Sequence, residues 1–339
     1  MSADEPSPRD TLLQMTNVFQ VSRAIYVAAT LGIADLLEDG PKSADELAQT
    51  TQTHAPSLYR LLRALASVGV FAEEPDGRFR STPSAEYLRT SAPRSLRAWA
   101  MLIGGEYAWR SWGDLPHSVR TGEPAFPRLY GTTNWEYRQA HPEEVAGFNA
   151  AMSALTAGVV EAIVRSYDFS SGVGVLMDVG GGEGTLLAAI LAAHPALRGV
   201  LFDQPHVLTG ANELLERAGV ADRCEVVSGS FFEAVPTGAD AHLLKSVVHD
   251  WDDTATVKIL RTCRAAIAET GRIFVIEPII RAGNEHDPAK FSDLNMLVML
   301  GGRERTAADF ERLYAEAGFR LTDIIRTESS MTIIEGVPD

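Results

Sequence analysis

One stretch, Leu176-Met177-Asp178-Val179-Gly180-Gly181-Gly182-Glu183-Gly184, constrains this chain more than any other. Its apolar half reads as a buried strand, its glycines as a tight turn, and Thr185 to Leu191 as the opening of a helix. That arrangement predicts a ligand site. The helix N-terminus offers unpaired N–H groups, and glycines, lacking Cβ, let the backbone come close to a guest. The glycines stand at 180, 182 and 184, whereas a dinucleotide fingerprint needs its third at 185, which is Thr. The next apolar run, Gly199 to Asp203, ends in a carboxylate 19 residues beyond Gly184, where an acid accepts the two hydroxyls of a ribose. An adenosine-bearing ligand is expected, and S-adenosylmethionine suits the spacing better than NAD.

With 339 residues, 45% of them hydrophobic and 22% charged, the chain is long enough for about two globular domains. A net charge of −15 argues against a nucleic-acid partner and against docking on anionic membranes. Cys224 and Cys263 sit among apolar residues and read as reduced core side chains. The polar segment Met1 to Asp10 has no leader pattern, and Ala24 to Ala34 is too short to span a bilayer, which needs ~20 residues. A soluble, cytoplasmic protein is expected.

Residues 11–38 are apolar on more than one side, so the helix they predict needs a cover, and the expected cover is a partner subunit. Ser43-Ala44-Asp45-Glu46 is a capping box that opens a short helix, and Pro56 opens another. Val70-Phe71 and Arg78-Phe79-Arg80 flank the turn Pro75-Asp76-Gly77. Two helices and a β-wing predict a winged-helix unit. Its recognition helix carries only Arg60 and Arg63, so a helical dimerisation platform is preferred over DNA binding. Beyond a helical region rich in large side chains, buried strands alternate with helices from Val173 onward, and the chain closes on Leu321–Arg326 and Met331–Glu335. This predicts an α/β fold with a doubly wound, mostly parallel, seven-stranded sheet and an antiparallel C-terminal hairpin. The expected boundaries are 1–95 for the dimerisation domain, 96–168 for a helical linker and substrate-pocket region, and 169–339 for the cofactor domain.

In an open α/β sheet the ligand lies beyond the carboxyl ends of the strands. Gln204, Ser230 and Phe231 stand at such ends, with Ser230 placed to bond an adenine edge and Phe231 to lie on its face. Lys245, inside the fourth strand of the sheet, needs a partner at the ligand. That strand, expected over Ala241–Val248, ends at Val247-Val248-His249-Asp250-Trp251-Asp252-Asp253, with His249 at its carboxyl end. A His facing the crevice there, partly neutral at pH 7, can take a proton from a phenol or enol. Glu277 is the first candidate to orient its ring and Glu304 the second. A metal site on His249, Asp250, Asp252 and Asp253 is disfavoured, because Asp252 and Asp253 read as the cap and first turn of a helix. Trp109, Met152, Asp250, Met296 and Met299 are the candidate substrate contacts, suited to a flat aromatic or polyketide ring.

Taken in order, Asp178 to Gly184, Phe202-Asp203-Gln204-Pro205, Gly229-Ser230-Phe231-Phe232, His249 to Asp253 and Gly301-Gly302-Arg303-Glu304-Arg305-Thr306 resemble the S-adenosylmethionine-dependent small-molecule O-methyltransferases. The likeness spans nearly the whole chain and includes Phe148-Asn149-Ala150-Ala151-Met152. It implies a Rossmann-like methyltransferase domain and a metal-independent homodimer interlocked through its N-terminal helices. It also implies methyl transfer to a hydroxyl of a small aromatic metabolite, releasing S-adenosylhomocysteine. By the same resemblance Gly180 touches the methionine moiety, Gly182 belongs to the cofactor site and Asp203 meets the ribose. Ser230 and Phe231 meet the adenine, Lys245 lies near the cofactor, His249 is the base, and Glu277 and Glu304 frame it. Ser230 replaces the Asp common in the family, and Met299-Leu300 replace the Asn-Pro of plant members, which points to the bacterial branch. Two other readings remain: a cofactor-retaining enzyme of this fold with decarboxylase, hydroxylase or cyclase chemistry, and a winged-helix sensor of a small molecule.

Overall fold

The computed structural model describes residues 7–339, which form two compact units, one ending at Trp109 and one running from Arg110 to Asp339. The expected helical region 96–168 is therefore shared between them. In the first unit, α1 (Pro8–Thr30) starts at a Ser7 cap and α2 (Ile33–Leu36) follows it. The helix expected over 11–38 is broken at Gly32, whose φ of +66° is open to glycine at little cost. In the single chain Leu12, Leu13, Met15, Val18 and Phe19 of α1 are 52–67% exposed, a row that would need the partner subunit expected as its cover. α3 (Ala44–Thr51) carries the expected capping box between Ser43 and Glu46. α4 (Ala55–Ser67) buries Leu58, Leu62 and Leu65 on one face. β1 (Phe71–Glu73) and β2 (Phe79–Ser81) form the antiparallel wing. The opposite face of α4, with Ser57, Arg60, Arg63 and Ser67, is only a shallow groove.

The second unit is built on β3 (Val175–Val179), β4 (Arg198–Asp203), β5 (Cys224–Ser228), β6 (Ala241–Lys245), β7 (Arg272–Glu277), β8 (Phe319–Arg326) and β9 (Thr332–Pro338). Their order is β5-β4-β3-β6-β7-β9-β8, parallel from β5 to β7, with β9 antiparallel to both β7 and β8. The direction of winding reverses between β3 and β6, the position where open sheets take their ligands. Apolar layers cover both faces. One includes Val257, Ile259, Leu260, Phe310 and Tyr314, the other Ile163, Leu187, Ile190, Leu191 and Leu215. Each such side chain, fully buried, contributes ~1.5–3 kcal/mol.

Helix Pro142–Ser166 shows that the run Ala24–Ala34 is not the most membrane-like stretch of the chain. Its part Glu144–Ser166 is long and apolar enough to cross a bilayer. Here Ile163 lies in the sheet's apolar layer, and Asn149, Ser153 and Thr156 bond to Val207, Glu183 and Lys245. The fourth strand of this sheet also ends earlier than expected. β6 stops at Lys245, and Ser246 turns the chain away with a φ of +54°, a strained value for a residue with a Cβ. His249 therefore sits in a short 3₁₀ turn, Val248–Asp250, rather than on the strand.

His242, in the middle of β6, is wholly buried and neither ring nitrogen has a partner. Burial pushes its pKa down from 6.5 to about 4. The unfolded chain binds this proton at a higher pH than the folded one, so stability is lost as the pH falls from 6.5 towards 4, by up to about 3 kcal/mol. His242→Leu is expected to shrink the drop in melting temperature between pH 7.5 and pH 5, measured by calorimetry. An unchanged drop would show that His242 does not carry the acid sensitivity.

Candidate active site

The glycine turn after β3 is packed so tightly that side chains would not fit. A Cβ on Gly181 would stand 2.6 Å from the Asp178 carboxyl carbon, and one on Gly180 would stand 2.9 Å from Val247 and 3.4 Å from the Phe231 ring. Gly180, Gly182 and Gly184 all have positive φ. The Gly182 N–H donates to Asp203 Oδ2 at 2.9 Å and the Gln204 N–H to Oδ1 at 2.6 Å, so two strand ends lock Asp203 in place. A carboxylate oxygen held this way keeps a lone pair for a further donor. Ser230 Oγ accepts from the Phe232 N–H, and the Phe231 and Phe232 rings meet Trp251 edge-on. Gln204 accepts from Gln139. Lys245 donates to Thr156 Oγ1 at 3.0 Å, and burial lowers its pKa to about 8 against the pull of Asp178, Glu277 and Asp250.

The catalytic candidates converge, with their parts redistributed. Glu304, the second choice, is the residue that holds the ring: its Oε1 accepts from His249 Nδ1 at 2.9 Å and from the Ser292 hydroxyl at 2.7 Å. Glu277 instead accepts the backbone N–H groups of Val247 and His249 through Oε1, at 3.1 and 3.0 Å. With Nδ1 directed at Glu304, Nε2 is the nitrogen left for an acceptor, and Asp250 Oδ1 stands 3.5 Å from it. Burial would lower the His249 pKa, but Asp250, Glu277 and the Glu304 bond outweigh it and push it up to about 10. The ring is thus an imidazolium at neutral pH, whereas the sequence suggests a partly neutral one. Burial raises Asp250 to about 6 and Glu277 to about 7, in each case against His249.

Residues given no role of their own in the sequence reading fix this loop. Arg305 is completely buried. It donates to the carbonyls of Val248 (2.8 Å) and Trp251 (2.9 Å), to Asp253 Oδ1 and to Thr256. The Arg303 N–H holds the His249 carbonyl at 2.9 Å. Gly302 packs directly on the loop, since a Cβ there would stand 2.1 Å from the His249 oxygen. The Gly-Gly-Arg-Glu-Arg signature held the only clue. Asp252 caps the following helix and Asp253 is engaged by Arg305 and Arg312, so neither is free for a metal. Among the described residues no His, Cys, Asp or Glu cluster has metal-binding geometry.

Among the proposed substrate contacts, Met296 and Met299 are buried on helix Pro288–Met299, the helix that also carries Ser292. Met152 is half-buried on helix Pro142–Ser166, four residues before Thr156. Trp135 stacks on Trp251 at 5.7 Å, adding an aromatic surface that the sequence reading placed only within a broad helical region. Trp109 belongs to the first unit, where its ring faces Phe19 and the Arg23 guanidinium.

The charges also bear on the guest. Asp178, Asp203, Asp250, Glu277 and Glu304 gather around Lys245, His249 and Arg305, and Asp178 Oδ1 is buried without a partner, its pKa raised to about 7 by burial and by Asp203. An unsatisfied acidic acceptor beside the glycine turn fits a ligand carrying positive charge, such as a sulfonium or an ammonium group. A model of the O-methyltransferase domain matches residues 112–320, and one of the O-methyltransferase dimerisation domain matches 13–91. The chain belongs to the O-methyltransferase family. The phenazine O-methyltransferase PhzM of Lysobacter antibioticus is 45% identical, over 96% of this chain and 95% of its own length. A solved structure of the O-methyltransferase NcsB1 of neocarzinostatin biosynthesis, in complex with S-adenosylmethionine and 2-hydroxy-5-methyl naphthoic acid, is 36% identical. It covers 94% of this chain and 96% of that one, with a TM-score of 0.81. The aclacinomycin 10-hydroxylase RdmB of Streptomyces purpurascens is 38% identical, over 97% of this chain and 89% of its own length.

Gly302→Ala in this O-methyltransferase is expected to displace the His249 loop while leaving the glycine turn intact. Because ~1 Å of misplacement costs about a hundredfold in rate, kcat should fall by that order with S-adenosylhomocysteine affinity within about twofold. Kinetics and calorimetry on the same preparation check this, and an unaltered kcat would show the contact to be dispensable.

Proposed function

We propose that this protein transfers the methyl group of S-adenosylmethionine to a hydroxyl oxygen of a flat aromatic or polyketide-like metabolite, with His249 managing the proton. The observation that carries this reading is His249, held by Glu304 beside the acidic glycine-turn site at the winding reversal of the sheet. When bound, S-adenosylmethionine supplies an electrophilic methyl group. Gly180 and Gly182 would receive its methionine end, Asp203 its ribose, and Ser230 and Phe231 its adenine, with Gln204 and Lys245 nearby. Asp250, Met152, Met296 and Met299 would line the acceptor side. Glu304 holds Nδ1, which leaves His249 Nε2 to face the acceptor hydroxyl. Because the ring is held protonated, the reactive pairing is imidazolium with phenolate, reached when the acceptor hydroxyl releases its proton to solvent and the imidazolium holds the resulting oxyanion. Positioning then contributes most of the rate, with ~10²- to 10⁴-fold from the His249 interaction.

S-adenosylhomocysteine, tested against NAD as control, should bind selectively and raise the melting temperature by a few degrees. A ligand at about a hundredfold excess over Kd adds ~2.7 kcal/mol. Wild-type methylation of a phenol should rise between pH 7 and 10. In His249→Gln the rate should drop and its pH rise should follow only the phenol's own ionisation. Identical profiles would remove His249 from the proton transfer, and absence of S-adenosylhomocysteine binding by folded protein would overturn the function. The relationship to RdmB supports a second reading, hydroxylation, which product mass separates: a gain of one oxygen instead of one CH₂.

The exposed apolar row of α1 fits the dimerisation-domain match, and the protein is proposed to pair through it as a homodimer. Met15→Glu with Val18→Glu is expected to give monomers in sedimentation. A dimer persisting in that variant would move the interface elsewhere.

A further inference from the structure

Lys42, Lys245, Lys258 and Lys290 are the only lysines among the 30 basic residues of this chain. Lys42 and Lys290 donate to backbone carbonyls and Lys258 lies over the Phe232 ring, whereas Lys245 ends β6 beside the winding reversal of the sheet. An arginine there could not lose its proton, and a lysine withdrawn from water can. Among the described residues Lys245 makes one hydrogen bond, to Thr156 Oγ1 at 3.0 Å, and no carboxylate forms an ion pair with it. The Thr156 hydroxyl commits its own proton to the Met152 carbonyl at 2.8 Å, so towards Lys245 it is an acceptor. An ammonium and a neutral amine both donate to such an oxygen. Loss of its proton therefore leaves Lys245 in place.

Three carboxylates attract this amine from a distance: Asp178 on β3, Glu277 at the end of β7 and Asp250 in the His249 loop. Asp178 precedes the glycine turn and Asp250 flanks His249 Nε2, so Lys245 stands between the turn and the histidine. A methyl group passing from cofactor to acceptor crosses the same space. The cofactor is a sulfonium cation and its product a neutral thioether, so a second cation beside it opposes the first and spares the second. We propose that Lys245 discriminates S-adenosylmethionine from S-adenosylhomocysteine by its own charge, giving a proton to solvent as the sulfonium enters and regaining one from solvent when the thioether is left. The inference rests on the proposed function for the identity of the guest. Burial holds Asp178 and Glu277 up at about 7 and Asp250 at about 6, while the carboxylates, against burial, hold His249 at about 10. Lys245, pushed down to about 8 by burial, is thus the group among them that changes charge between pH 8 and 9.

Calorimetry at pH 8 in two buffers of different ionisation heat counts the protons released on binding, after correction for the amino groups of the free ligands. In the wild-type protein S-adenosylmethionine should release about half a proton more than S-adenosylhomocysteine, because Lys245 is half protonated there. This count needs no variant. Lys245→Arg, always charged, should lose the extra release and weaken S-adenosylmethionine relative to S-adenosylhomocysteine by roughly tenfold. Lys245→Met, never charged, should also lose the extra release but shift the affinity ratio the opposite way. A uniform loss of binding leaves that ratio unchanged, so a merely structural role would not move it. Equal proton release with the two ligands, or one ratio shared by the Arg and Met variants, overturns the inference and leaves the proposed function standing. Binding of neither ligand by folded protein refutes the proposed function and this inference with it.

Discussion

The candidate active site depends on the dipeptide Glu304-Arg305, whose two side chains hold the ring and the backbone of the same histidine. Glu304 fixes the imidazole, while Arg305 clamps the carbonyls of Val248 and Trp251 on either side of it. Neither side chain reaches solvent. A guanidinium sealed from water is costly unless its donors are used, and breaking a buried pair of this kind typically costs ~3–5 kcal/mol. Ser246, in its strained conformation, lifts the chain off the sheet, and Glu277 caps the exposed N–H groups that result. The loop is thus over-determined from three elements, which is how a short turn outside any strand keeps a fixed geometry.

Much of this was legible in the sequence because it obeys local rules. The glycine spacing, the carboxylate ending β4 and the alternation of buried strands with helices each follow from backbone freedom or periodicity. The sheet and the turn lie where those rules place them. The ends of strands were less visible: nothing in Leu244-Lys245-Ser246-Val247 announces that the chain leaves the sheet at a serine with positive φ. The division of labour between Glu277 and Glu304 was equally hidden. Both are acids near one histidine, and only the three-dimensional meeting of residues 249, 292 and 304 decides which one bonds the ring.

Two other features escaped for a related reason. Arg305 reads as a surface cation in any composition-based view, since an isolated charge gains nothing by burial. Its partners are mostly backbone carbonyls, which carry no sequence signature. The raised pKa of His249 is likewise collective, arising from carboxylates contributed by residues 250, 277 and 304. A histidine considered alone suggests a group poised near neutrality, whereas its setting keeps it charged.

The antiparallel strand β9 has a bearing on how the molecule comes into being. It lies directly against β7, the strand that ends in Glu277, and Tyr314 is tied to it through the Ile334 carbonyl. Residues 332–338 thus close the open edge of the strand whose final carboxylate holds the His249 loop. Until they emerge from the ribosome, β7 presents a bare, apolar row of hydrogen-bonding groups that any passing strand could occupy. The nascent chain therefore carries its glycine turn early but completes the edge beside Glu277 only after residues 332–338 have emerged. Shortening the chain before Thr332 would leave not a weakened enzyme but a sticky sheet.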